Sequence, residues 1–289
     1  MFRNVRFLRF TGPWPADEAA LSEALAKARF TPCGPLTEKS SGWEAPLETT
    51  DSRLCRSLAG ADLLQLRTQS RLLPTAAINE AAETRIQEYR DRTGELPGRR
   101  EKRRLKLETR DKLLPQALLR SERTRGFFLR SENILAIDAA SPLRLERFIE
   151  CLRIAIGKFD AVPLEYKYPP AKMLQQIFLG DPPRGIALGR ECRMQDPSDS
   201  KANVRFVDMD LADSNIRKHV RDGMKITHLG IGFNGVMSMV LDENGGLGKL
   251  RLAEADAADT GEDEDPLMQF DAEFVLLTGT LREYLSVVL

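Results

Sequence analysis

The stretch Arg125-Gly126-Phe127-Phe128-Leu129-Arg130-Ser131-Glu132-Asn133-Ile134-Leu135-Ala136-Ile137-Asp138-Ala139 holds two apolar runs, 125–129 and 134–139, separated by a polar turn. That pattern predicts an antiparallel hairpin. Pro142 then stands at a first helical turn, and Leu145, Phe148, Ile149, Leu152 and Ile156 form one apolar stripe behind it. A further strand is expected over 162–166, with Pro163 near its end. A hairpin, a helix and a strand in this order indicate an α+β fold with antiparallel sheets and packed helices, not a doubly wound parallel sheet.

Upstream, residues 5–10 read as a strand. Asp17 opens a helix striped by Leu21, Leu25 and Ala28, and 61–66 reads as another strand. The segment 30–43, with Pro32-Cys33-Gly34 and Gly42-Trp43, is expected to be a buried structural bend. Residues 75–92 carry Ile78, Ala82, Ile86 and Tyr89 at helical spacing, 93–98 is a turn by composition, and 99–114 is helical by propensity up to Pro115. Two helices joined by a short turn make a helical hairpin. The second has only four leucines and is too polar to be enclosed, so it is expected to project as an arm or to lie exposed along a surface. Downstream, strands are expected at 185–188, 203–209, 224–229 and 236–241, and a last helix through Phe270, Phe274, Leu277, Leu281 and Leu285. No internal repeat is visible.

The 289 residues carry 43 Lys+Arg and 43 Asp+Glu, a net charge of zero. The charges are nonetheless segregated. Residues 99–130 hold twelve basic and four acidic side chains, and 253–274 hold nine acidic and no basic ones. A basic stripe offset by a remote acidic segment can still bind polyanions. The candidate phosphate contacts are Arg99, Arg100, Lys102, Arg103, Arg104, Lys106, Arg110, Lys112, Arg120, Arg123 and Arg125, with Arg217, Lys218, Arg221 and Lys225 as a weaker second cluster. A basic helix can equally be a solvated face. If it binds nucleic acid, the lack of interleaved aromatics favours duplex backbone over stacked single-strand bases, and no helix-turn-helix, zinc finger or RNP pattern offers base readout.

Other chemistry is weakly signalled. Gly230-Ile231-Gly232-Phe233-Asn234-Gly235 matches G-x-G-x-x-G, which raises an oxidoreductase reading, but the residues after it are strand-like and no helix start is available for a pyrophosphate. His219 and His228 have no carboxylate spacing that suggests a metal cage or a triad. Cys33, Cys55, Cys151 and Cys192 share no metal or redox spacing and are expected to be buried free thiols. The acidic run 262–265 lacks the pattern of a calcium loop. No cofactor or metal is expected. With neither a membrane-length apolar run nor a signal-like amino terminus, a cytoplasmic protein is expected.

A set of landmarks recurs in order along the chain: Phe30-Thr31-Pro32-Cys33-Gly34 with Gly42-Trp43, Leu72-Leu73-Pro74, Leu113-Leu114-Pro115, Ile137-Asp138-Ala139-Ala140-Ser141, Val162-Pro163-Leu164, and Phe270-Asp271-Ala272-Glu273-Phe274 with Thr278-Gly279. In this the chain resembles the bacterial recombination-associated RdgC family from about residue 5 to its end. The resemblance implies a nucleoid-associated, non-enzymatic protein that binds DNA with little sequence preference and limits access of the RecA recombinase. It also implies a ring-shaped homodimer with a positively charged hole and two separate subunit contacts. On that plan residues 1–74 and 120–170 form a central α+β domain, 75–119 an arm or tip, and 171–289 an α+β base. The 113–119 segment matches the family near the projecting tip, so Leu118 and Leu119 are expected at a dimer contact. No individual DNA contact carries over. A non-catalytic interaction module that uses its basic arm on acidic protein partners stays open beside this.

Overall fold

The computed structural model describes residues 2–47, 52–199, 201–253 and 265–289. In chain order its elements are β1 (Val5–Thr11), α1 (Glu18–Ala26), β2 (Lys39–Glu44), β3 (Cys55–Leu58), β4 (Ala61–Leu72), α2 (Thr75–Thr93) and α3 (Arg99–Leu113). After a 3-10 turn at Leu114–Gln116 come β5 (Leu118–Leu129), β6 (Ile134–Asp138), α4 (Pro142–Ile156), β7 (Asp160–Pro163), α5 (Pro170–Leu179) and β8 (Ile186–Gln195). The chain continues with β9 (Asn203–Phe206), α6 (Ser214–Arg221), β10 (Lys225–Phe233), β11 (Met237–Asp242), β12 (Leu247–Leu252) and α7 (Pro266–Val288).

The hairpin at 125–139 is present as β5 and β6, with Asn133 at φ 53° in the turn. It belongs to one twelve-stranded sheet in the order β2-β4-β5-β6-β1-β12-β11-β10-β8-β9, with β3 on β4 and β7 on β1. Every pairing between these strands is antiparallel, consistent with an α+β fold. β1 joins the two halves, because Val5 pairs with Leu247 of β12 while Leu8 to Thr11 pair with β7.

Alternation along β1 sends Val5 and Phe7 to one face of the sheet and Arg6, Leu8 and Phe10 to the other. The first face carries one core that runs through both halves of the sheet. Leu63, Phe127 and Ala136 share one core with Leu229, Ile231 and Leu241, closed by Leu174 and Phe178 of α5 and by Phe274, Leu281 and Leu285 of α7. On the second face the core is confined to the amino-terminal half, where Leu21 and Leu25 of α1 and Phe148 and Leu152 of α4 meet Leu64, Phe128 and Ile137. In the carboxy-terminal half the second face supports no buried apolar cluster among the described residues.

The 30–43 bend is buried, as its composition predicts. Trp43 is fully enclosed, its ring lies edge-on to Phe148 at 5.0 Å, and its Nε1–H donates to the Cys151 carbonyl at 3.3 Å. Gly42 is required there, because a Cβ would stand 2.5 Å from Phe30 Cα. The helix expected from Asp17 starts on that residue's side chain, which accepts from Ala20 N at 2.8 Å.

Several boundaries differ from expectation. The strand expected at 162–166 is β7, displaced to 160–163 by its register against β1, and Pro163, which has no N–H, closes the ladder. The strand expected at 61–66 continues to Leu72, because β5 pairs with it residue for residue from Leu118 onward. The strand expected at 203–209 stops at Phe206, and that at 185–188 extends to Gln195. The glycine motif lies in β10 and in a tight turn, with Asn234 at φ 50° and Gly235 at φ 70°, and the chain returns as β11. A hairpin of this kind offers no helix N-terminus to a dinucleotide.

Candidate nucleic-acid interface

Eight of the fifteen residues of α3 are Lys or Arg. Such a helix forms because its narrow neutral side is held by a partner. Leu105 and Thr109 are buried, α3 packs along α2, and Ile78 and Ala82 are the buried positions of that helix. Arg85 of α2 fastens the two. Its Nη1 donates to Leu105 O and Thr109 Oγ1, both at 3.2 Å, and its Nη2 to Glu108 Oε2 at 2.8 Å. This hydrogen bond from Arg85 holds the Glu108 carboxyl below its usual range. Gly94, at φ 78°, ends α2 in the left-handed region and lets the chain reverse into α3.

The cations divide by what they face. Arg99, Arg100, Lys102, Arg103 and Lys106 are exposed, and among the described residues none has an ion pair. At 100° per residue Arg99, Arg100, Arg103 and Lys106 fall on the side of α3 turned away from Leu105 and Thr109, while Lys102 flanks Thr109 at the edge of the packed side. Lys112 is exposed as well. The others are engaged. Arg104 meets Glu101 at 2.6 Å and Glu108 at 3.5 Å, and Arg110 pairs with Glu38. Arg120 meets Glu122 at 3.0 Å and Arg123 meets Glu44 at 2.6 Å. Arg125 is half-buried, donates to Gln65 Oε1 at 2.9 Å and lies 5.4 Å over the Phe270 ring. Burial, the largest influence on it, lowers its pKa.

The second cluster is not gathered with the first. β5 is third in the sheet and β10 eighth, so at ~4.8 Å per strand their separation is about 24 Å along the sheet. Nor is the second cluster one surface. Ile216 seats α6, with Arg217, Lys218 and Arg221, on the first-face core, whereas Lys225 alternates with the buried Ile226 and so falls on the opposite face.

Leu118 and Leu119 open β5, and Leu118 stands opposite Leu72. They therefore sit where the helical pair leaves the β4–β5 ribbon. The turn 94–98 lies at the other end of α2 and α3. Both are exposed, at 76% and 47%, and Leu72 is 46% exposed. Sequence reasoning also passed over Arg71, which organises this root. Its Nη1 donates to the carbonyls of Leu114 and Pro115, each at 3.1 Å, and its Nη2 to Gly34 O at 3.0 Å.

Among the described residues no group of three or more His, Cys, Asp or Glu is placed to hold a metal ion, and no helix is long and apolar enough to cross a membrane. All four cysteines are free and buried, and burial pushes the Cys55 and Cys192 thiols up to about 12. His219 lies on α6 and His228 on β10. The acidic run 262–265 falls outside the described residues, apart from Asp265, whose carboxylate caps α7 at Leu267 N.

A protein-family profile described as "Putative exonuclease, RdgC" matches residues 1–289. The chain is similar to the Recombination-associated protein RdgC of Cupriavidus necator, 31% identical over 99% of this chain and 95% of that protein. It is likewise similar to those of Cupriavidus pinatubonensis, 32% identical over 99% and 95%, and of Stenotrophomonas maltophilia, 30% identical over 97% and 94%.

Proposed function

This chain belongs to the RdgC family, whose curated relatives are named recombination-associated proteins, and from that premise we propose that it binds duplex DNA without sequence preference. The observation that carries the proposal is the set of five exposed cations on α3 with no ion pair among the described residues, Arg99, Arg100, Lys102, Arg103 and Lys106. Ion-paired arginines gain little by moving to phosphate, whereas unpaired ones release counterions from DNA at no such cost. The helical hairpin of α2 and α3 acts as the projecting arm. Two copies associate about a two-fold axis, with Leu118, Leu119 and Leu72 at the arm's root forming one self-complementary contact, and the resulting ring encloses the duplex in the nucleoid. Occupied DNA is then closed to RecA.

We read the protein as a binder and not a hydrolase, although the family description contains the word exonuclease. Metal-assisted phosphodiester cleavage uses clustered carboxylates, and the acids along α3 and β5, Glu101, Glu108, Asp111 and Glu122, are each tied to an arginine instead. The test is anisotropy on end-labelled duplexes of unrelated sequence across a salt series, with magnesium present and strand length read afterwards. Equal affinities, a linear fall of log K with log salt and intact strands are expected. Failure to bind at low salt while an acidic polypeptide is retained would move the basic helix to a protein partner. Progressive shortening would restore the exonuclease reading.

A further inference from the structure

The second face of the carboxy-terminal half, bare of any buried apolar cluster among the described residues, carries a cavity of about 490 Å³, lined by Arg6, Arg193, Arg205, His228, Asp242 and Lys249 among others. Two of its cations are neutralised, Arg6 by Asp242 and Lys249 by Glu191. Asp242 is further occupied by the turn amides of Asn244 and Gly246, each at 2.9 Å. Arg193 and Arg205 are different. They are direct antiparallel partners on β8 and β9, both are exposed, and neither side chain has a hydrogen bond or ion pair among the described residues. Their strand neighbours Cys192, Met194 and Phe206 point into the first-face core, so the pleat fixes both guanidinium groups on the bare face. His228 is opposite Arg193 in the next strand, and Lys225 is one row along, opposite Gln195.

Like charges set directly across an antiparallel pair repel each other. Acidic residues could have relieved the repulsion, but those in the cavity are already committed. Two planar forks side by side, with a lysine and an imidazole adjoining, instead match the oxygens of a phosphodiester. We propose that this sheet face is a second phosphate-binding surface for duplex DNA, with Arg193 and Arg205 clamping one stretch of backbone. The inference rests on the duplex reading of α3 but names a separate place. β8 is six strands from β5, about 29 Å along the sheet, which approaches one turn of duplex.

The test is the double substitution Arg193→Gln with Arg205→Gln, compared with the parent and with the lysine pair Arg193→Lys with Arg205→Lys. In the salt series on random duplex the glutamine variant is expected to bind more weakly and to lose about 0.9 to 1.8 from the slope of log K against log salt. The lysine variant should keep the slope. Without DNA, the glutamine variant should melt at a higher temperature than the parent in low salt and at an equal one in high salt, because the repulsion is gone. A parent that shows no salt-dependent duplex binding would fail the duplex reading itself. A parent that binds, with a glutamine variant of unchanged slope, would overturn this surface and leave α3 standing. No gain in melting temperature at low salt would contradict the repulsion, and equal stabilisation of the parent by inorganic phosphate alone would assign the pair to a small anion and not to a duplex.

Discussion

Replacing Trp43 by alanine would remove the largest fully buried side chain of the second-face core. The indole is enclosed between β2, β4 and α4, lies edge-on to Phe148 at 5.0 Å and donates to the Cys151 carbonyl at 3.3 Å. Large aromatic truncations in such cores cost about 3 to 5 kcal/mol. The site has little room to collapse and recover this, because the backbones are already close: a Cβ added at Gly42 would stand 2.5 Å from Phe30 Cα, and one added at Gly126 on β5 would stand 2.5 Å from Phe148 Cζ. The upper part of that range is therefore expected, a large share of the ~5 to 15 kcal/mol that a folded domain commands. Trp43→Phe keeps most of the apolar contact and loses only the N–H, so about 1 to 2 kcal/mol is expected. Urea unfolding followed by far-ultraviolet circular dichroism measures both. A Trp43→Ala protein that unfolds within 1 kcal/mol of the parent, or that keeps its stability and loses DNA binding, would refute a structural role.

If the proposed ring forms, Leu118→Asp should open one of its two subunit contacts and leave the other. Dissociation from closed circular DNA at raised salt should then become as fast as from short linear duplex, and unchanged rates on both would remove the arm's root from any ring closure. Asp62, fully buried, accepts from Trp14 Nε1 at 2.7 Å and from Arg130 Nε at 2.8 Å, so Asp62→Asn should destabilise the fold by about 3 kcal/mol, and a neutral result in the urea titration would contradict this. Burial raises the Cys55 and Cys192 thiols from 9.0 to about 12 and the Tyr166 hydroxyl from 10.0 to about 12. These groups lose their protons first in the unfolded chain, so their contribution to stability should be level from neutral pH up to about 8 and fall as pH rises from there to about 12. A melting temperature that rises over that window would reverse the sign. A disulfide-exchange reagent at pH 8 should find the four thiols slow in the folded protein and fast in urea.

The β5–β6 hairpin, α4 and α7 are legible in the sequence because their apolar residues keep one period and end at clear turns. β2 is not, since Lys39-Ser40-Ser41-Gly42 is an edge strand with few buried positions, and β3 is only four residues long. The outer half of β5, Leu118 to Arg123, is polar or exposed on both faces and exists through its pairing with β4, a contact between residues about fifty positions apart. The excess charge of α3 could be counted from composition. Its division into free and engaged cations could not, because Glu38 and Glu44, which neutralise Arg110 and Arg123, lie 72 and 79 residues away. Arg193 and Arg205 escaped for the same reason, because only strand register makes them neighbours.

The central claim is that the unpaired cations of α3, and not its basic content as such, hold the duplex. Two quadruple alanine variants remove the same charge. One takes Arg99, Arg100, Arg103 and Lys106, and the other takes the ion-paired Arg104, Arg110, Arg120 and Arg123. Measured over a salt series on one random duplex, the first should flatten the slope of log K by about 3.6, at roughly 0.9 per phosphate contact, while the second should change it by less than about 1. Equal flattening by both, or a larger effect of the second, would contradict the account.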